Sequence, residues 1–156
     1  MNETTADVQV RCLEDTDLGE IIKIDEKIGG TYRPEIWERR MGYYSRRDPE
    51  ASVVAESAGR VVGFMFGEIR AGEFGIEEPT GWIEVLGVDP ELQGQAVGRQ
   101  LAERMMGYFK DNGATSVRTM VDVEMVGIER FFTSLGFEPA SLKPFVRKLE
   151  EGGSQG

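Results

Sequence analysis

From Gln93 to Gly98 the chain reads Gln-Gly-Gln-Ala-Val-Gly, with Arg99 next and a helix-like run beyond. A helix N-terminus presents backbone N–H groups that lack an intrahelical acceptor, together with the positive end of the helix dipole. Small residues in front of it let a phosphate approach those donors, and Arg99 could add a charge-assisted contact. Gly98 would equally serve to pack the helix closely on its strand, so the turn alone does not decide between the two roles. It is not a dinucleotide fingerprint, because GxGxxG does not fit, nor a P-loop, because no Gly-Lys-Ser/Thr follows. A second group that could do chemistry is Glu84, the one charged residue in the apolar run 82–88. If it is buried among Trp82, Val85 and Leu86, its pKa should rise towards that of a general base. If it points to an edge, it is solvated or paired with an arginine.

The chain contains no histidine. That excludes Ser-His-Asp and Cys-His triads, HExxH zinc sites and a histidine base. Proton transfer then falls to Asp, Glu, Tyr, Lys, Cys12, a terminus or water. No metal site is expected. A single cysteine excludes an internal disulfide and suits a reducing cytoplasm, and neither a signal peptide nor a membrane span is read in the sequence. The net charge of −10 argues against nucleic acid, which needs a basic face, and mildly favours a cationic amine or a basic peptide. An acidic surface that only maintains solubility would give the same number.

The elements that must position these groups follow from periodicity. Residues 8–13 alternate as a strand. Asp15, Thr16 and Asp17 offer N-caps to a short helix that Gly29-Gly30 breaks, and Pro34 opens a second helix carrying Ile36, Trp37, Met41 and Tyr44 on one face. Residues 52–56 and 60–70 read as strands joined by a tight hairpin at Ser57-Ala58-Gly59. A loop over 71–81 leads into the strand 82–88. Residues 97–112 form an amphipathic helix with Gly113 as its C-cap. A strand over 116–123 and a short helix over 126–134 follow, with two short strands near Phe137 and over 145–149. At 156 residues and 40% hydrophobic, the chain is expected to form one domain over 8–150, with disordered ends at 1–7 and 151–156. The order βααβββαβαββ describes a mixed α/β sheet with helices on its faces. A strand–turn–helix in the middle of such a sheet is where a ligand is expected.

Residues 85–106, with Phe131-Phe132-Thr133-Ser134-Leu135-Gly136-Phe137 downstream, resemble the GCN5-related N-acetyltransferases (GNAT). That family's signature is Gln/Arg-x-x-Gly-x-Gly/Ala between a strand ending Val-Asp-Pro and a long helix. Gln93 takes its first position and Gly98 its last, while Ala96 stands where the family has its middle glycine. Alanine is one methyl larger, so a helix-compatible backbone would tolerate it, with a looser pyrophosphate contact as the consequence.

The resemblance implies the acyl-CoA N-acyltransferase fold, a mostly antiparallel central sheet that splays between strands 4 and 5. It implies acetyl-CoA as donor and a primary amine as acceptor: a protein N-terminus, a lysine or a small amine. The pantetheine arm would run along Leu86, Gly87 and Val88. The pyrophosphate would take the amides of Gly94, Gln95, Ala96, Val97, Gly98 and Arg99. The N–H of Leu86 would polarise the acetyl carbonyl. Glu84 is the first candidate base and Asp122, on the following strand, the second. The tyrosine that often protonates the leaving thiolate is Phe132 here, and the asparagine near the start of that helix is Met125. Tyr32 is the candidate replacement acid, with loop packing as its plainer role.

The acceptor side would draw on Tyr32, Arg33, Glu35 and Trp37 before and within the second helix. Glu73, Phe74, Glu77 and Glu78 of the 71–81 loop complete it. The alternative implied by Phe132, Met125 and Ala96 is a CoA-binding sensor or partner-binding module without transferase activity. Homodimers are common in the family.

Overall fold

The computed structural model describes residues 7–94 and 96–150. The expected disordered ends lie outside the described residues, apart from Asp7. The chain divides into two compact units, residues 1–120 and 121–156.

The first unit is a five-stranded sheet in the order β1 (Gln9–Cys12), β2 (Ser52–Ser57), β3 (Arg60–Arg70), β4 (Thr80–Val88) and β5 (Ser116–Thr119). The first four strands are antiparallel and β5 runs parallel to β4. The two-residue turn between β2 and β3 has positive φ at both Ala58 and Gly59, as a primed hairpin turn requires. Helices α1 (Leu18–Gly29) and α2 (Pro34–Arg47) cover one face, and α3 (Val97–Asp111) covers the other.

Strand alternation separates the two faces. Val54, Phe64 and Phe66 join Ile21, Ile22, Trp37, Met41 and Tyr44 in one apolar cluster. On the opposite side, Gly63 has room only for Val97 and Leu101, and the ring of Phe109 lies against Gly81. Leu101, Met105 and Phe109 are fully buried there. Each helix therefore buries its apolar stripe against a face of the sheet.

The helix boundaries follow local chemistry. Asp15–Asp17 make a 3₁₀ turn, so α1 begins at Leu18; Asp17 accepts from the Glu14 backbone N–H and pairs with Arg11 at 2.9 Å. Gly30 ends α1 in the left-handed conformation, and Pro34 sits in the first turn of α2.

Strand β4 is paired along only part of its length on one side and irregularly on the other. Its ladder with β5 extends only from Thr80↔Ser116 to Ile83↔Thr119, where the Thr119 hydroxyl donates to the Ile83 carbonyl at 2.8 Å. From Glu84 to Val88 the β5 side of the strand has no strand partner among the described residues, so the sheet opens there as the splayed fold requires. On its other side β4 pairs with β3 through a bulge. Phe66 faces Val85 and Gly67 faces Ile83, so Glu84 is the residue without a counterpart.

The strand expected over 116–123 is shorter and stops at Thr119. In the second unit, α4 (Val126–Ser134) forms as expected and packs Phe132 against Phe131 and Phe137. The strands expected near Phe137 and over 145–149 do not form. Phe145 is 91% exposed and Leu149 81%. A strand needs a partner as well as a suitable run of residues, and no strand ladder among the described residues includes these. No helix among the described residues is long and apolar enough to cross a membrane.

Candidate active site

The strand–turn–helix unit is anchored at Asp89. This carboxylate is buried and closes the end of β4. It accepts from the Glu91 backbone N–H at 3.0 Å, from Lys27 of α1 at 3.0 Å and from Arg60 of β3 at 3.5 Å. Burial alone would raise its pKa, yet these donors hold it below the ordinary carboxylate value. The turn beyond Asp89 is thereby tied to both α1 and the sheet.

In the turn, Gln93 is extended, with its amide at 3.5 Å from the Val88 carbonyl, and Gly94 has φ +87°. Gln95 lies outside the described residues. Ala96 is the N-cap of α3 at φ +68°, ψ +14°, in the left-handed region. The expectation of a helix-compatible backbone at Ala96 is therefore corrected, because an alanine occupies a conformation that favours glycine. An alanine N-cap has no side-chain acceptor, and no side-chain cap covers the first turn. Val97 is buried, so only its main chain can meet a ligand, while Arg99 pairs with Glu103 at 3.7 Å. On β4, Gly87 packs so closely on Phe64 that a Cβ would come within 2.5 Å of the ring. Any larger residue would displace the strand edge that Leu86 and Val88 share.

Glu84 is not the isolated carboxylate the apolar run suggested. Its side chain is 29% exposed and ion-paired with Arg70, at 2.6 Å from Oε2 and 3.4 Å from Oε1. The Tyr44 hydroxyl donates to Oε1 at 2.9 Å. The burial expected among Trp82, Val85 and Leu86 is absent, and the arginine pairing is present. Glu84 stands at the bulge, where the regular alternation of β4 is broken, with its carboxylate on the α2 side beside Tyr44.

Arg70 also binds Glu68, at 2.6 Å. Glu68 is buried on β3 and accepts from the Tyr43 hydroxyl at 2.8 Å. One guanidinium therefore bridges two carboxylates, each with a tyrosine donor. Burial and the bond to Glu84 push the Tyr44 pKa well up, and the bond to Glu68 raises that of Tyr43, so both remain neutral donors at physiological pH. Burial works against the charge on Arg70, but Glu84 and Glu68 outweigh it and raise its pKa. Glu68 carries the same signal in the sequence as Glu84, a lone carboxylate in an apolar strand, and sequence reasoning passes over it.

Beside Glu84 is a cavity of about 210 Å³ between α1, α2 and β4. Glu84, Val85 and Leu86 form its strand side; Asp25, Arg33, Trp37 and Arg40 line the helix side. Asp25 holds Arg33 through two contacts, at 2.6 and 3.0 Å, and this pairing keeps its pKa below the usual carboxylate value. Arg40 lies over the Trp37 ring at 4.8 Å. Of the expected acceptor residues, Arg33 and Trp37 are at the cavity. Tyr32 is 65% exposed and does not line it. Glu73 sits near Arg70, at 3.6 Å, and Phe74 near Trp82. Asp122 belongs to the second unit. With β5 ending at Thr119, it lies in the turn before α4, exposed and accepting from the Glu124 backbone N–H at 2.9 Å. Phe132 is buried in its own unit, and Met125 is exposed as the N-cap of α4.

An unpaired strand edge, a small-residue turn and an uncapped helix N-terminus follow one another directly, which fits a long ligand with a phosphate group at one end. Comparison with known proteins places the chain in a family. The mycothiol acetyltransferase of Thermobispora bispora is 36% identical over 90 residues, covering 58% of this chain and 30% of that protein. That of Thermobifida fusca is 37% identical over 95 residues, covering 58% and 29%. The chain thus spans under a third of the length of these relatives. Among solved structures, aminoglycoside N-acetyltransferase AAC(6′)-Iy in complex with CoA aligns with a TM-score of 0.79 at 19% identity, over 95% of this chain and 99% of that one. A transcriptional regulator from Bacillus halodurans C-125 aligns with a TM-score of 0.78 at 19% identity, over 91% and 99%. At such identities these likenesses speak for the fold. The model of the acetyltransferase (GNAT) family matches residues 19–137, most of the chain, and the chain belongs to that family.

Proposed function

We propose that this protein transfers the acetyl group of acetyl-CoA to a primary amine, with Glu84 as the group that receives the amine's proton. The observation that carries the reading is the position of Glu84. It sits on a bulge at the point where β4 loses its β5 partner, beside the cavity and two residues before Leu86.

Acetyl-CoA supplies an activated thioester; the chain's residues hold it and manage protons. The turn from Gly94 to Arg99 would bind the pyrophosphate through backbone N–H groups, and the open edge over Leu86, Gly87 and Val88 would hold the pantetheine arm. This main-chain cradle lets an acidic protein bind a phosphate-rich donor. The Leu86 N–H would stabilise charge developing on the acetyl oxygen.

The amine must be neutral to attack, although a lysine-like amine has a pKa of about 10.4. A carboxylate offers about four acceptor positions. At Glu84, Arg70 and Tyr44 fill three of them, two at Oε1 and one at Oε2. The remaining position on Oε2 can take the ammonium proton, directly or through a water. The leaving thiolate takes its proton from solvent or from Tyr32, since Phe132 has none to give. Asp122 is the second candidate base.

Titration calorimetry with acetyl-CoA and a turnover assay over an amine panel test this reading. Glu84→Gln should lower turnover by roughly 10²–10⁴ with CoA affinity unchanged. Phe132 and the strained Ala96 favour a second reading, a CoA-binding module without turnover. Acetyl-CoA binding with no product from any amine would select it.

A further inference from the structure

Formal charges around the cavity do not cancel locally. On its helix side one buried carboxylate, Asp25, meets two guanidiniums. Arg33 is bound to it directly, and Arg40 acts on it through space. On its strand side one guanidinium, Arg70, meets Glu68 and Glu84 at 2.6 Å and Glu73 at 3.6 Å. The first group has one positive charge in excess, and the second has an excess of negative charge. Arg40 is the member of the positive group that no carboxylate reaches within ion-pairing distance among the described residues. Its guanidinium lies over the Trp37 ring at 4.8 Å, a contact that uses the face of an aromatic ring and leaves N–H donors for a ligand.

Both poles face one small space. Arg40 and Glu84 line the same cavity. Arg40 is also one turn before Tyr44, whose hydroxyl touches Glu84. A cavity of about 210 Å³ with both groups in its wall suits one small molecule with a hydrogen bond at each end.

We infer that the acceptor carries an anionic group, a carboxylate or a phosphate, in addition to its amine, and that Arg40 binds that group while Glu84 takes the ammonium end. This deepens the acetyl-transfer reading and rests on its placing of the acceptor at this cavity. A planar, always charged fork matches carboxylate and phosphate oxygens bidentately, which a lysine at this position would not do. Arg40 is thus a specificity residue that touches the acceptor away from the reacting nitrogen. A simple cationic amine would satisfy Glu84 and leave Arg40 facing an empty pole.

The test uses the whole chain saturated with CoA. Titration calorimetry compares free L-amino acids with their amides, and phosphoethanolamine with ethanolamine, so the carboxylate and phosphate arms are read separately. The same pairs, with acetyl-CoA, are then assayed for product. In at least one arm the anionic member is expected to bind roughly ten- to a hundredfold tighter than its neutral partner. Arg40→Gln should erase that preference and Arg40→Lys should restore part of it, with circular dichroism confirming that both variants fold. Equal binding of acid and neutral partner in both arms overturns the proposal, as does a preference that survives in Arg40→Gln. A preference in binding without acetylated product would sustain the charged pocket and sink the transfer reading. Product formed equally from neutral and anionic amines would do the reverse.

Discussion

Replacing Ala96 by glycine should stabilise the protein, although glycine is the weaker residue almost everywhere else in a helix-rich chain. Ala96 stands at φ +68°, ψ +14°, where the Cβ of an L-residue crowds the following carbonyl. That conformation costs roughly 1–2 kcal/mol relative to the right-handed region. Glycine removes the cost but brings a more flexible unfolded chain, worth about 0.4–1 kcal/mol in the opposite direction. The balance is a gain of about 0.5–1 kcal/mol. For a chain of this length that is a rise in melting temperature of a few degrees at most, since roughly 2–4 °C accompanies each kcal/mol. Urea unfolding resolves the change if the slope is unaltered, because the shift in midpoint then reports stability alone.

The internal control is Ala102→Gly, inside α3. Ala102 is fully buried and helical, so the substitution should destabilise by about 1 kcal/mol or more. Two alanine-to-glycine changes in one helix region should therefore shift the midpoint in opposite directions. A destabilised Ala96→Gly variant would refute the reasoning, because it would mean that the methyl group makes contacts worth more than the backbone strain. Calorimetry with CoA on the same variant asks whether the strain also loosens the proposed phosphate cradle. If it does, the glycine variant binds more tightly as well as unfolding later.

The ion pairs set two further outcomes. Arg70→Gln leaves Glu68 buried without its guanidinium and should cost about 3–5 kcal/mol, measured by urea unfolding; a loss below about 1 kcal/mol would show that Tyr43 alone satisfies Glu68. Arg33→Gln removes the hydrogen bond that chiefly depresses the Asp25 pKa. A depressed carboxylate stabilises the fold above its unfolded value near 3.8 and loses that contribution as pH falls through the lower folded value. The stability gap between wild type and Arg33→Gln should therefore be full near neutrality and close in acid. A gap that widens below about pH 4 would contradict the pairing.

Much of the backbone plan was legible because its signals are local. Gly30, Pro34 and the Ala58-Gly59 turn each act within a few residues, and the stripes of α1, α2 and α3 repeat at helical spacing. The turn from 93 to 98 was legible for the same reason, since a small-residue turn before an amphipathic helix is a contiguous feature. Other parts depended on pairing between distant residues. The bulge at Glu84 exists only in the register between β3 and β4, so the alternation of β4 alone could not reveal that the side chain would escape burial. The conformation of Ala96 is likewise fixed by its surroundings: Asp89, Lys27 and Arg60 set where the turn must start, and α3 packing sets where it must end. Over 145–149 a strand was expected and none forms, because a short apolar run does not by itself specify a pairing partner.

The charge of the whole chain is a coarser guide. A total of −10 suggests a cationic partner, but the total is a sum over a surface, whereas a ligand meets a few side chains at short range. Around the cavity the sum separates into one carboxylate between two guanidiniums and one guanidinium among three carboxylates. Neither group can be read from sequence spacing. Asp25, Arg33 and Arg40 are joined by the packing of α1 against α2, and Glu68, Arg70 and Glu84 by the pairing of β3 with β4. The cavity lies where those two contacts meet, so the proposed recognition of an acceptor there would depend on how the local charges are divided and hardly at all on the total.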